Sequence, residues 1–123
     1  MAKRNPNMTS QLHQFKAEFF KVLAHPLRLA ILDAVKDGER SVSMLKVELG
    51  VEQSTLSQQL GVLRRRGFVK ARREGTLNFY SAVDPEVYAF LDMGRRLFER
   101  QLQVSSQLLE SLKAADAGPT EPE

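Results

Sequence analysis

The sequence predicts a mainly α-helical fold with one small β-hairpin, and three observations predict it. Apolar residues recur at three- and four-residue intervals over most of the chain. Residues 69–83 alternate instead, around a Glu74-Gly75 turn. Gly50 divides two short helical patterns, and the second of these carries a polar face rich in Gln, Ser and Thr.

Leu12, Phe15, Phe19 and Leu23, flanked by Phe20 and Val22, mark an amphipathic helix over about residues 10–23, with Thr9 or Ser10 available as its cap. Residues 1–9 are expected to form a flexible arm ahead of it. A second helix begins near Pro26, a residue suited to a first helical turn, and buries Leu27, Ala30, Ile31 and Ala34 before stopping at Gly38. A third, over about residues 42–49, adds Leu45 and Leu49 to the same core. In the fourth, Leu56, Leu60 and Leu63 fall at i, i+4 and i+7, which is one buried stripe. Its other face carries Gln53, Ser54, Thr55, Ser57, Gln58 and Arg65.

That face suits a DNA major groove. Gln can bond an adenine edge through N6 and N7, Ser and Thr reach bases or phosphates, and Arg grips guanine or phosphate oxygens. Six basic residues follow between positions 64 and 73: Arg64, Arg65, Arg66, Lys70, Arg72 and Arg73. They run into the alternating segment, which reads as a two-stranded hairpin. Two helices about a glycine turn, followed by a basic hairpin, compose a winged helix-turn-helix. The candidate DNA-binding residues are Gln53, Ser54, Thr55, Ser57 and Gln58 for bases. Arg64, Arg65, Arg72, Arg73 and Thr76 are the candidates for phosphates or the minor groove.

Asp84-Pro85 opens a long terminal helix along which Val87, Phe90, Leu91, Gly94, Leu97, Phe98, Leu102, Ser105, Leu108, Leu109 and Leu112 recur. That stripe is longer than a small winged domain needs to cover itself. A second copy of the chain is the simplest cover, and Gly94 offers a close approach. The expected interface joins Leu12, Phe15 and Phe19 to Phe90, Leu91, Gly94, Leu97, Phe98 and Leu102. Such a homodimer presents two recognition helices to an inverted-repeat operator in double-stranded DNA.

With 123 residues the chain predicts one domain, over about residues 10–113. The formal net charge of +3 understates its basicity, because residues 114–123 hold three acids and no base; without them 18 basic residues face 12 acidic ones. That acidic tail reads as disordered. No long apolar run or secretory signal is evident, and there is no cysteine, so the expected location is cytoplasmic, without a membrane or a disulfide. No Gly-rich phosphate loop, Cys nucleophile or His beside a credible Ser or acid partner suggests an enzyme, and no cofactor is expected.

Residues 20–32, FKVLAHPLRLAIL, then 53–63, QSTLSQQLGVL, then Arg72-Arg73-Glu74-Gly75-Thr76 onward to Tyr80 resemble, in this order and spacing, the ArsR family of bacterial winged-helix regulators. The resemblance covers roughly residues 15–100. It implies a homodimeric repressor that leaves its promoter when an inducer or metal binds. Many relatives carry a Cys-x-Cys pair where this chain has Ser41 and Ser43, and serine is a poor ligand for soft metals. The only histidines are His13 and His25, and none lies in the terminal helix where other relatives place metal ligands. The expected metal set is therefore none, and His25 reads as a helix-boundary residue. The trigger is expected to be an unknown non-thiol signal: a small organic ligand entering near Phe15, Phe19, Phe90 and Phe98 is one reading, although those aromatics read first as core, and a response to the protein's own concentration, temperature or a partner is another. The competing readings are a winged-helix protein-interaction module and a metal sensor with ligands outside the usual positions.

Overall fold

The leucine stripe of the recognition helix is the centre of the core: Leu56, Leu60 and Leu63 are all essentially inaccessible to solvent. The structure, a computed structural model, describes the backbone of residues 6–117 and the side chains of residues 7–116. The elements run α1 (Pro6–Leu23), α2 (Pro26–Ala34), β1 (Arg40–Ser41), α3 (Val42–Leu49), α4 (Gln53–Arg65), β2 (Val69–Glu74), β3 (Leu77–Ala82) and α5 (Glu86–Ala117). By their contacts they form two compact units, one ending at Pro85 and the other beginning at Glu86.

In the first unit, Ile31 and Leu32 of α2 with Val35 just after it, Leu45 of α3, and Phe68 and Val69 after α4 close around the leucine stripe. Of the α2 residues expected inside, Ile31 is fully buried, while Leu27, Ala30 and Ala34 are half-buried. The buried side of α2 is thus turned toward Leu32 and Val35. Among the described side chains of α1, only Val22 and Leu23 are buried, and the Phe19 ring lies 5.2 Å from that of Phe68. The Arg28 side chain ties three helices together, since Nε donates to Gln59 Oε1 at 2.8 Å and Nη1 to the Val22 carbonyl at 3.0 Å. The tilt of α4 is therefore pinned by hydrogen bonds as well as by leucines.

Local chemistry sets the boundaries. His25 caps α2, its Nδ1 accepting from the Leu27 amide at 3.2 Å, and Pro26 follows in the first turn. Ser41 caps α3 by accepting from the Met44 amide at 3.1 Å. Gly50 ends that helix with φ 63°, a left-handed conformation that favours glycine, and its amide donates back to the Lys46 carbonyl. The hairpin closes through a two-residue loop in which Gly75 takes φ 61°. Its neighbour Thr76 keeps a negative φ, which matches a II′ turn.

Three sequence expectations are corrected. The first helix starts at Pro6, so residues 6–9 belong to α1 and neither Thr9 nor Ser10 caps it. Pro6 needs no amide partner at a first turn, which lets the helix begin that early. At the other end, α5 runs through residues 114–117, where Ala114, Ala115 and Ala117 are strong helix formers. The remainder of the expected arm and tail, residues 1–5 and 118–123, lies outside the described residues. The wing, expected as two strands, gains a third. In the order β1-β3-β2, Arg40 pairs with Tyr80 and Ser41 with Phe79. Two residues carry too little alternation to announce a strand.

Candidate nucleic-acid interface

Burial of Leu56, Leu60 and Leu63 forces the rest of α4 outward, because positions between an i, i+4, i+7 stripe lie on the opposite side of the helix. Gln53, Ser54, Thr55, Ser57 and Gln58 are all exposed. Gln59, one residue further, is half-buried and occupied by Arg28. The five candidate base-reading residues thus share one open face, and Arg64 and Arg65 extend it at the C-terminal end.

The wing divides its arginines. Strand pairing sets Arg72 opposite Phe79 and Arg73 opposite Asn78, so these neighbours project from opposite faces of the ribbon. Arg72 bonds Glu39 and Glu74, each at 2.9 Å, and its guanidinium lies 4.8 Å from the Phe79 ring centre. The hydrogen bond from Arg72 holds the Glu39 carboxyl below the usual carboxylate range, while those to Glu39 and then Glu74 push the guanidinium further up. The pair therefore stays ionised at neutral pH. Its contribution is present above the ordinary Glu range and is lost as acid protonates Glu39. All three side chains are substantially exposed, so the energy is small and the effect is mainly geometric. Arg73 donates to the Gly75 carbonyl at 3.2 Å. Among the described residues, no carboxylate forms an ion pair with Arg64, Arg65, Arg66 or Arg73, while Lys70 adds its charge to the field at Glu39.

Between the start of α4, the exposed face of α3 and the wing turn lies an open groove of ≈ 410 Å³. Two residues proposed from sequence as DNA contacts, Gln53 and Thr76, meet there with Ser43, marked only as standing in place of a family cysteine, and with Lys46 and Asn78, which were not proposed as contacts. Lys46 sits on a helix read for its leucines and for the serines at its start, and Asn78 on a strand read for its alternation and its likeness to a wing. Neither had a local motif to mark it. Arg28 and Glu39, which position α4 and the wing, were missed for the same reason.

The candidate dimer residues are open to solvent in the single chain. Leu12, Phe15 and Phe19 on α1 and Phe90, Leu97, Phe98 and Leu102 on α5 are all at least 42% exposed. Leu91 is half-buried, and nothing lies within 4 Å of where a side chain at Gly94 would begin. Among the described residues, no three His, Asp or Glu side chains gather to hold a metal ion, and no helix is long and apolar enough to cross a membrane.

A tri-helical core, an exposed polar recognition helix and a basic three-stranded wing define a winged helix-turn-helix DNA-binding protein. The family model described as a helix-turn-helix domain matches residues 23–72. The HTH-type transcriptional regulator Rv0081 of Mycobacterium tuberculosis is 46% identical over 104 residues, 84% of this chain and 91% of that protein. Its crystal structure superposes with a TM-score of 0.72 at 43% identity, covering 84% of this chain and 99% of that one. The homodimeric winged helix-turn-helix DNA-binding domain of Mb0332 from Mycobacterium bovis gives a TM-score of 0.67 at 32% identity, over 84% and 94% of the two chains. The biofilm growth-associated repressor of Agrobacterium fabrum is 42% identical over 76 residues, 62% of this chain and 65% of that protein. The chain belongs to the ArsR-like family of winged helix-turn-helix transcriptional regulators.

Proposed function

We propose that the protein is a homodimeric repressor that reads an inverted-repeat operator with α4 and grips the flanking backbone with its wing. The observation that carries this reading is the open polar face of α4, rigidly backed by buried leucines and continued by uncompensated arginines. Gln53, Ser54, Thr55, Ser57 and Gln58 read bases, and Arg64, Arg65, Arg73 and Thr76 hold phosphates or enter the minor groove. Repression is supported by the similarity to the Agrobacterium repressor, and dimerisation by that to the homodimeric Mb0332 domain. Release follows a non-thiol signal, since the chain has no cysteine. The test is binding to the protein's own promoter and to a scrambled duplex across a salt series. A preference of about a thousandfold with a steep salt slope is expected. Equal weak binding to both duplexes rejects the sequence-reading role.

Gln58→Ala is expected to relax preference at one base position by roughly 1–3 kcal/mol, measured with single-substitution operators. A variant with unaltered preference at every position removes Gln58 from the reading face.

The two wing arginines are expected to behave differently. Arg73→Ala should weaken all sequences alike and flatten the salt slope, because its charge has no carboxylate beside it. Arg72, whose charge Glu39 and Glu74 already offset, holds the shape of the wing. Arg72→Ala should reduce affinity with a smaller change in slope. Equal slope changes for the two variants would show that Arg72 leaves its carboxylates for DNA.

A further inference from the structure

We infer that the groove between α3, the start of α4 and the wing turn seats one backbone phosphate of the operator strand, with Lys46 as its cation. The inference rests on the DNA-reading function proposed above and adds a contact to it. With α4 in a major groove and the wing in the neighbouring minor groove, the sugar-phosphate strand that separates those grooves must pass between the two elements. The groove of ≈ 410 Å³ is the space the fold leaves there, with Gln53 on the α4 side and Thr76 and Asn78 on the wing side.

Its chemistry fits an anion. Ser43 and Lys46 stand one turn apart on the same exposed face of α3, three residues being nearly one helical turn. Among the described residues, Lys46 is the only charged one lining the groove, and no acid joins it. Thr76 and Asn78 add a hydroxyl and an amide opposite, while Val47 forms part of an apolar wall. A cleft of one charge sign with low-dielectric walls focuses its field on a bound anion. Lysine serves as a point charge for a phosphate, which needs no bidentate geometry. Ser41, two residues before Ser43, caps α3 by accepting from the Met44 amide and lines the groove.

The test compares Lys46→Ala, Lys46→Arg and Arg65→Ala with the parent on promoter duplexes, across salt and with single methylphosphonates placed in turn along each half-site. Lys46→Ala is expected to lose affinity roughly eightfold per seat at ~0.1 M salt and to lower the salt slope by about 0.9 per seat, hence about twice that for a dimer. One methylphosphonate position that penalises the parent should become silent in Lys46→Ala and penalising again in Lys46→Arg. A Lys46→Ala protein that binds like the parent while Arg65→Ala weakens overturns the seat and leaves the reading function standing. So does a weakened Lys46→Ala that remains sensitive at every methylphosphonate position. If Lys46→Ala and Arg65→Ala both bind like the parent, the DNA-reading face itself is misassigned, and the seat falls with it.

Discussion

Leu60→Ala is expected to lower the free energy of unfolding by about 2–5 kcal/mol, read from urea denaturation. Leu60 is 1% exposed and lies between Leu56 and Leu63 on the stripe that α2, α3 and the base of the wing close over. Truncation forfeits the transfer energy of the lost carbons and opens a cavity that rigid neighbours fill only in part. A small domain holds only about 5–15 kcal/mol in all, so the variant should melt many degrees lower. DNA affinity should fall with the folded fraction and recover on cooling, because no base-reading group has been removed. A loss below ~1 kcal/mol would mean that the helices collapse freely onto the gap and that the stripe does not fix the pose of α4.

Leu97→Glu in α5 is expected to convert a dimer into a monomer, seen by sedimentation, and to cut affinity for the full operator by on the order of 10²–10⁴. Binding to an isolated half-site should change little. The physical basis is the unused apolar surface of α5. The helix has 32 residues, and Phe90, Met93, Leu97, Phe98, Leu102, Val104, Leu108, Leu109 and Leu112 are all exposed in the single chain. Covering a side chain of that kind contributes about 1.5–3 kcal/mol, whereas a carboxylate placed in the same contact must lose its water. Linked half-sites bind tighter than either alone because the second contact is intramolecular. A Leu97→Glu protein that stays dimeric at micromolar concentration would place the interface elsewhere.

Much of this molecule could be read before any coordinates. The i, i+4, i+7 leucines of α4, Gly50 between the reading helices and Gly75 in the wing turn are local signals, each tied to one backbone geometry, and the structure shows all three. The polar face of α4 followed directly, since burying one side of a helix exposes the other. The resemblance in three ordered motifs named the family for the same reason: those motifs are contiguous in sequence.

Contacts between distant segments carry no such pattern. Nothing near Arg72 announces Glu39, 33 positions away, yet that carboxylate ties one wing arginine to the body of the fold while its neighbour Arg73 has no carboxylate partner among the described residues. Arg28 and Gln59 are likewise 31 positions apart. The two-residue strand β1 exists only because β3 offers it an edge, and the groove around Lys46 exists only because α3, α4 and the wing converge. Periodicity, turn chemistry and charge, acting over a few residues, marked most of the elements and the polar face of α4 from sequence alone, and the resemblance in three motifs pointed to the family. Which arginine carries carboxylate partners, which lysine lines the groove beside the wing and how α4 is held were decided by tertiary structure, because a side chain's partner depends on where the whole backbone brings it.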